Sequence, residues 1–473
     1  MMASLQSSTP TTKLSPVQHL CFGLLCFYLF LIFSRTPEYL APYTGNLPLI
    51  FITGIVALAL GLLNGRFITH LKSTQALCLL AYTGWLMLST VGSFWPGGSF
   101  QLLTQTWSKS LIGFFVVAAT IWTIDQCKRA MCAIAVGLIG VEIAKVFLGA
   151  QIEGRLGLEG SGSLGNSNAL AFHILVILPF ALLLWMQGKR IGKITAIPVL
   201  AYGVVTVLQT GSRAGLVELA ILMLVFFIRL SAPGKVAFMA SFSIITVITV
   251  LMGLNGLVSD DAIERYKTLF SNEDKSEAFR SAEASQAIRT ENFVQSVNTT
   301  FAHPLLGIGP GVFTPFMATE IQKDGRRSNW RNTHNAYTQI SSESGLPAFF
   351  LYMTALAASL KAAFSIYRAT RKRPEMKLVA DMSFCLLSSL IVFSVNGVFD
   401  NNAYLFYFPL LAGLAVALNA TVTDAALPLR VQPVSNRRTA SVPAAGNVRG
   451  LPARPGVPVT IRALKRVQIT DHR

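Results

Sequence analysis

The sequence predicts an all-α polytopic membrane protein of about twelve transmembrane helices with one large, mostly helical outward loop. Three observations predict it. Only 13% of the residues are charged while 52% are hydrophobic, against roughly a quarter charged in a soluble domain. The apolar residues gather in runs of about twenty, the length a helix needs to cross a bilayer that offers its backbone no other hydrogen-bond partners. The cations between those runs alternate in density from one loop to the next.

The runs fall near 17–35, 48–64, 75–93, 108–125, 131–149, 168–187, 196–210, 214–230, 236–258, 345–367, 378–398 and 404–422. The first is too long for a signal-peptide core and lacks a small-residue cleavage site, so it reads as a retained helix. The seventh and eighth are separated only by Gly211-Ser212-Arg213. One alternating set of short loops holds Arg66, Lys72, Lys128, Arg129, Lys189, Arg190, Lys193, Arg229, Lys235 and the cations from Arg368 to Lys377. The opposite set, the large loop aside, holds Arg35, Lys109, Arg155 and Arg213. That asymmetry puts both termini inside. The net charge of +17 therefore reads as orientation charge rather than a nucleic-acid surface, and no nucleic acid is expected as a partner.

On this layout residues 1–258 hold spans one to nine, 259–344 form the outward loop, and 345–422 hold spans ten to twelve. The remainder, 423–473, is a basic tail rich in Pro, Ala, Val and Arg, expected to be disordered and to lie near anionic lipid. The loop is polar and too long for an idle connection. Residues 260–270 and roughly 281–301 have helical character, and a Gly/Pro turn follows from His303 to Gly311. None of the six cysteines (Cys21, Cys26, Cys78, Cys127, Cys132, Cys385) lies in the loop and no CxxC pair exists, which leaves a disulfide framework or thiolate metal site unsupported. No DxD, HExxH or Cys/His cluster occurs outside the membrane, so no bound metal and no cofactor is expected.

Charges at membrane depth are costly, so their placement is informative. Lys109, Glu142, Lys145, His173, Arg213 and Glu218 lie toward the outward ends of spans and predict a polar crevice opening outward, against the plainer reading that they snorkel to the interface. Glu142 and Lys145, three apart, can neutralise each other. Arg213 sits in Thr210-Gly211-Ser212-Arg213-Ala214-Gly215, where Ser212 can cap the following helix and an arginine fork at a helix start can hold an anion. Arg289, in Ala287-Ile288-Arg289-Thr290-Glu291, would alone be an ordinary surface arginine. Its weight comes from the rigid turn His303-Pro304-Leu305-Leu306-Gly307-Ile308-Gly309-Pro310-Gly311, which lacks the Lys-Ser/Thr and preceding strand of a nucleotide-binding loop. His334, in Asn332-Thr333-His334-Asn335-Ala336-Tyr337, can accept a proton near neutral pH, although a lone histidine is more often a surface or packing residue. The basic run Arg326, Arg327 and Arg331 suits an anionic ligand.

The layout, the Gly-rich turn and above all His334-Asn335-Ala336-Tyr337 through Glu343-Ser344-Gly345-Leu346 resemble the O-antigen ligase superfamily. It comprises lipopolysaccharide O-antigen ligases, O-antigen polymerases and bacterial O-oligosaccharyltransferases. The specific motifs are confined to about 155–168, 210–215 and 285–350. The resemblance implies a C-type glycosyltransferase fold in the bacterial inner membrane, with its active site in a periplasmic loop. It implies metal-independent, inverting transfer of a glycan from undecaprenyl diphosphate to a hydroxyl of lipid A-core. It also implies His334 as the base and Arg213 and Arg289 as holders of the diphosphate, with Arg155, Asn168 and Tyr337 as further pocket residues. The polymerase and the oligosaccharyltransferase remain alternatives within that fold. A lipid-linked glycan flippase or transporter is the more distant one, disfavoured by the lack of half-to-half similarity and by polar residues that gather outward rather than at the midplane.

Overall fold

The computed structural model describes residues 15–44, 48–63, 70–152, 155–160, 162–236, 239–240, 263–264, 266, 277–323 and 332–431. The chain divides into units 1–427 and 428–473, and the site lies in the first. The helices are α1 (Pro16–Ser34), α2 (Thr36–Thr44), α3 (Leu49–Leu62), α4 (Thr74–Val91) and α5 (Pro96–Leu102), the last running through a π-helical turn into α6 (Ser108–Thr120). Then come α7 (Ile124–Leu148), a hairpin of β1 (Gly149–Ile152) and β2 (Arg155–Leu158), α8 (Ser167–Gln187), α9 (Arg190–Gln209) and α10 (Arg213–Arg229). The late chain holds α11 (Glu277–Ala302), α12 (Phe313–Lys323), α13 (Ala336–Thr370), α14 (Lys377–Asn396) and α15 (Tyr407–Val431).

Among the described residues, nine helices are long and apolar enough to cross a membrane. The protein is all-α and polytopic, as its apolar runs require. Every predicted run meets a helix except 236–258, which lies almost wholly outside the described residues. The fifth and seventh spans begin six or seven residues early, at Ile124 and Arg190, and three boundaries differ by more. The fourth span begins at Pro96, because the stretch through Leu102 and the π-turn continues the helix. The tenth begins at Ala336 rather than 345, and the twelfth continues to Val431, into what reads in the sequence as tail. The rest of that tail lies outside the described residues.

Among the described residues, α8 and α14 are the most buried spans and form the inner layer. α8 packs against α7, α9, α10 and α14 and is buried on all sides from Leu170 to Ala181, which explains why it shows no amphipathic period. His173 is sealed within it: Nδ1 lies 2.8 Å from the Tyr407 hydroxyl and Nε2 2.9 Å from the Phe33 carbonyl. It is a satisfied core histidine and not part of an outward crevice. Glu142 and Lys145 meet through a third group, since Lys145 Nζ donates to Thr206 Oγ1 at 2.7 Å and that hydroxyl donates to Glu142 Oε2 at 2.9 Å.

The described residues from Glu277 to Lys323 pack back against the bundle. α13 breaks at Gly345, whose φ of 81° interrupts an otherwise continuous helix. The Gly/Pro turn fills the break: Leu346 N–H donates to the Pro304 carbonyl at 2.8 Å, Ile308 N–H to Ser342 at 3.1 Å and Gly309 N–H to Glu343 at 2.8 Å. A Cβ on Gly345 would overlap the Leu305 carbonyl, and the left-handed backbone favours glycine independently. α4 braces the same turn, with Trp85 Nε1 donating to the carbonyls of Leu305 (3.2 Å) and Ser344 (3.1 Å).

Candidate active site

His334 stands one residue before the cap of α13. Asn335 caps that helix, its Oδ1 accepting from the N–H groups of Tyr337 and Thr338, both at 3.0 Å, which satisfies donors that a helix start leaves orphaned. Asn335 Nδ2 donates to the Val398 carbonyl at 3.2 Å and Ala336 N–H to that of Gly397 at 2.7 Å. The Tyr337 hydroxyl donates to the Ser394 carbonyl at 2.6 Å. The start of α13 is thereby bolted to the end of α14. His334 itself is half-buried and left-handed, with φ of 50°. Such a conformation costs about 1–3 kcal/mol at a non-glycine residue and persists only where the surroundings impose it. Here the cap on one side and the tether of Asn332 on the other impose it. The Asn332 carbonyl accepts from Asn292 Nδ2 at 2.8 Å, and its Oδ1 accepts from the Thr314 hydroxyl at 2.6 Å.

Arg289 arrives on α11. Asn292, Ser296 and Thr300 follow it at helical spacing and are buried, so this polar stripe faces the first segment of α13, where the Thr300 and Ser341 hydroxyls lie 2.8 Å apart. The stripe brings Arg289 into the electrostatic field of His334. Burial depresses the His334 pKa below its ordinary value, the Arg289 cation depresses it further, and Asp400 opposes both. The imidazole is neutral at neutral pH, with its lone pair available to accept a proton. Asp400 follows α14 and is raised by burial, with the Asn401 N–H, His334 and Arg289 pulling the other way. Among the described residues, His334, Arg289 and Asp400 thus form one coupled group.

The second cluster lies where the hairpin meets the turn between α9 and α10. Arg155 opens β2 opposite Ile152; its Nε donates to the Thr210 carbonyl at 3.1 Å and its Nη2 to Asn168 Oδ1 at 2.8 Å. The same Asn168 oxygen accepts from the Ser212 hydroxyl at 2.8 Å, and Ser212 caps α10 by accepting from Gly215 N–H at 3.1 Å. Arg155 and Asn168 therefore set the turn from which Arg213 projects. Tyr266 closes it from the loop, its hydroxyl donating to the Leu208 carbonyl at 2.8 Å.

Beyond Arg213, the helix that carries it is tied to the end of α14. Asn396 Nδ2 donates to Glu218 Oε1 at 2.7 Å, and Asn402 Nδ2 donates to Asn396 Oδ1. The field of Asp400 also reaches Glu218. Through these side chains α10 meets the end of α14, to which Asn335, Ala336 and Tyr337 tie the start of α13. Arg326, Arg327 and Arg331 lie outside the described residues. Among the described residues, no group of three His, Cys, Asp or Glu side chains could hold a metal ion.

Asp400 and Asn396 escape sequence reading, although a signal exists: Asn396, Asp400, Asn401 and Asn402 crowd the exit of an apolar span. Glu343 reads in the sequence only as part of a motif. In the fold it is a buried organiser whose Oε2 accepts from Gly311 N–H (2.9 Å) and the Tyr404 hydroxyl (2.8 Å), while Oε1 accepts from Phe313 N–H (3.2 Å).

Chemically, a neutral imidazole beside a carboxyl and a guanidinium can take a proton from a bound hydroxyl while the cations receive developing negative charge. Residues 198–353 match the family model described as O-antigen ligase. No curated protein matches the chain. That match agrees with the resemblance read from the motifs and supports a ligase- or polymerase-type glycosyltransferase. It contains Arg213, Arg289 and His334; Arg155, Asn168 and Asp400 lie outside it.

Proposed function

We propose that this protein moves a glycan from undecaprenyl diphosphate to a hydroxyl of lipid A-core at the outer face of a bacterial inner membrane, both of its termini being cytoplasmic. The observation that carries the reading is the half-buried His334, held left-handed at the mouth of a span in the joint field of Arg289 and Asp400, inside the segment that matches the O-antigen ligase family model.

A sugar hydroxyl is a weak nucleophile at neutral pH. His334 removes its proton as the oxygen attacks the anomeric carbon. The bond from that carbon to the diphosphate breaks on the opposite side, so configuration inverts. Arg213 and Arg289 hold the departing diphosphate, whose charge grows in the transition state. Asp400 stabilises the imidazolium once formed. Arg155 and Asn168 fix the turn that aims Arg213, and Tyr337 lines the pocket while tying α13 to α14. Arg326, Arg327 and Arg331 meet the anionic acceptor. The lipid tail of the donor stays in the bilayer, which accounts for a site at the membrane surface.

The test is transfer by purified protein with lipid-linked glycan, lipid A-core and EDTA. His334→Ala, Arg213→Ala and Arg289→Ala should each lower turnover about a hundredfold or more. Full turnover by His334→Ala would remove the base. Extension of lipid-linked glycan in place of lipid A-core would reassign the reaction to a polymerase.

A further inference from the structure

α10, α13 and α14 each run from the His334 end of the bundle to the opposite end, and the segment of α13 after Gly345 spans about 37 Å at 1.5 Å per residue. At that far end a cavity of about 780 Å³ opens between them. Its floor is preformed. Asp381, fully buried, pairs with Arg229 and accepts from the Gln187 amide. The Arg229 guanidinium lies 4.3 Å from the centroid of the Phe384 ring, so its charge is already spent within the bundle. The walls are apolar, formed by Val225, Ile228, Phe364 and Leu387.

The rim differs. Arg371, Lys372, Arg373 and Lys377 line the cavity and are exposed. The turn that gathers them is closed by Arg373 N–H donating to the Thr370 carbonyl and Met376 N–H donating to that of Arg373, at 2.9 and 3.0 Å. Among the described residues none of these four cations is in an ion pair, and Glu375 is the only acid between Arg371 and Lys377. Four cations above an apolar-walled cavity at a span end call for a ligand with a phosphate head and a hydrocarbon body.

We propose that this cavity is a binding site for an anionic phospholipid, with the phosphate among Arg371, Lys372, Arg373 and Lys377 and the acyl chains along the Phe364 and Leu387 walls, on the membrane face opposite His334. Soluble phosphate shares the head chemistry and leaves the apolar walls uncovered. The lipid bridges α10 to α13 and α14, the helices whose other ends carry Arg213, His334 and Asp400. Its binding is independent of the transfer reaction.

Native mass spectrometry of the full-length protein in detergent tests this, with phosphatidylglycerol and phosphatidylcholine of identical acyl chains as probes. The wild type should retain phosphatidylglycerol preferentially. Each cation removed should weaken retention about fivefold, so Arg371→Ala, Lys372→Ala, Arg373→Ala and Lys377→Ala combined should lose it by a hundredfold or more. Because all four side chains are exposed, thermal unfolding without lipid should be unchanged; if the combined variant misfolds, Lys372→Ala and Arg373→Ala alone read the same effect in smaller steps. Equal retention of the two lipids, undiminished retention by the variants, or displacement of phosphatidylglycerol by millimolar inorganic phosphate would overturn the proposal.

Discussion

Replacing Glu343 should unfasten the Gly/Pro turn and α12 from the bundle. Its carboxyl accepts three hydrogen bonds, from Gly311 N–H, Phe313 N–H and the Tyr404 hydroxyl, at 2.9, 3.2 and 2.8 Å, and the residue is only 3% exposed. Glu343→Ala strands all three donors. A buried group left unsatisfied costs about 1–3 kcal/mol, so the loss is on the order of 3–9 kcal/mol before any water enters, a large share of a typical folding free energy. Glu343→Gln keeps the shape and one accepting oxygen but turns an N–H toward an existing donor, for about 1–3 kcal/mol. Tyr404→Phe removes one bond and should cost about 0.5–1.5 kcal/mol. Because Phe313 begins α12, and Thr314 beside it holds Asn332 two residues before His334, transfer activity should fall in the same order as stability. Thermal unfolding of the detergent-solubilised protein, paired with the transfer assay, measures both. An alanine variant within about 1 kcal/mol of wild type would refute the reasoning, since three stranded buried donors cannot be that cheap.

Three further outcomes follow from the same structure. The acid limb of the pH–rate profile should lie below pH 6.5, because the base must be unprotonated and its pKa is held below that value. Arg289→Ala removes a cation, raises the pKa and should move the limb to higher pH, while Asp400→Asn should move it lower; a shift of both in one direction would break the coupling. Gly345→Ala should prevent stable folding, read as loss of the monodisperse solubilised protein, because the new Cβ meets the Leu305 carbonyl at a φ that disfavours it. In a double-mutant cycle on turnover, Arg155→Ala and Asn168→Ala together should cost less than the sum of the two, since each breaks the same 2.8 Å bond; additivity would separate their roles.

The legible part of this fold is the part that the solvent dictates. Apolar runs of bilayer length can only be helices, so α1, α4, α8, α10 and α14 stand close to where hydropathy puts them. The differences arise where polar residues extend a helix beyond lipid. Ala336 to Ser344 is helical and buried because Glu343, Ser341 and Asn335 find protein partners, which no hydropathy window registers. The hairpin that carries Arg155 is missed for a similar reason: two short strands have too few residues to show a period. Glu142, Lys145 and His173 read alike as crevice charges, yet burial and partners make them internal bridges, whereas Glu218 is drawn into the network around Asn396.

By itself the sequence determined the membrane class, the positions of most spans, and motifs that resemble the O-antigen ligase superfamily, on which the proposed roles of Arg213, Arg289 and His334 rest, because residue type and run length are local properties. Only the tertiary structure decided that Asp400 stands in the field of His334 and Arg289, that Glu343 is the clasp of the Gly/Pro turn and α12, and that Arg371 to Lys377 crown a cavity at the other face. Those are juxtapositions of side chains tens to hundreds of residues apart, and they arise when buried polar groups must find one another in a bundle that offers them no water.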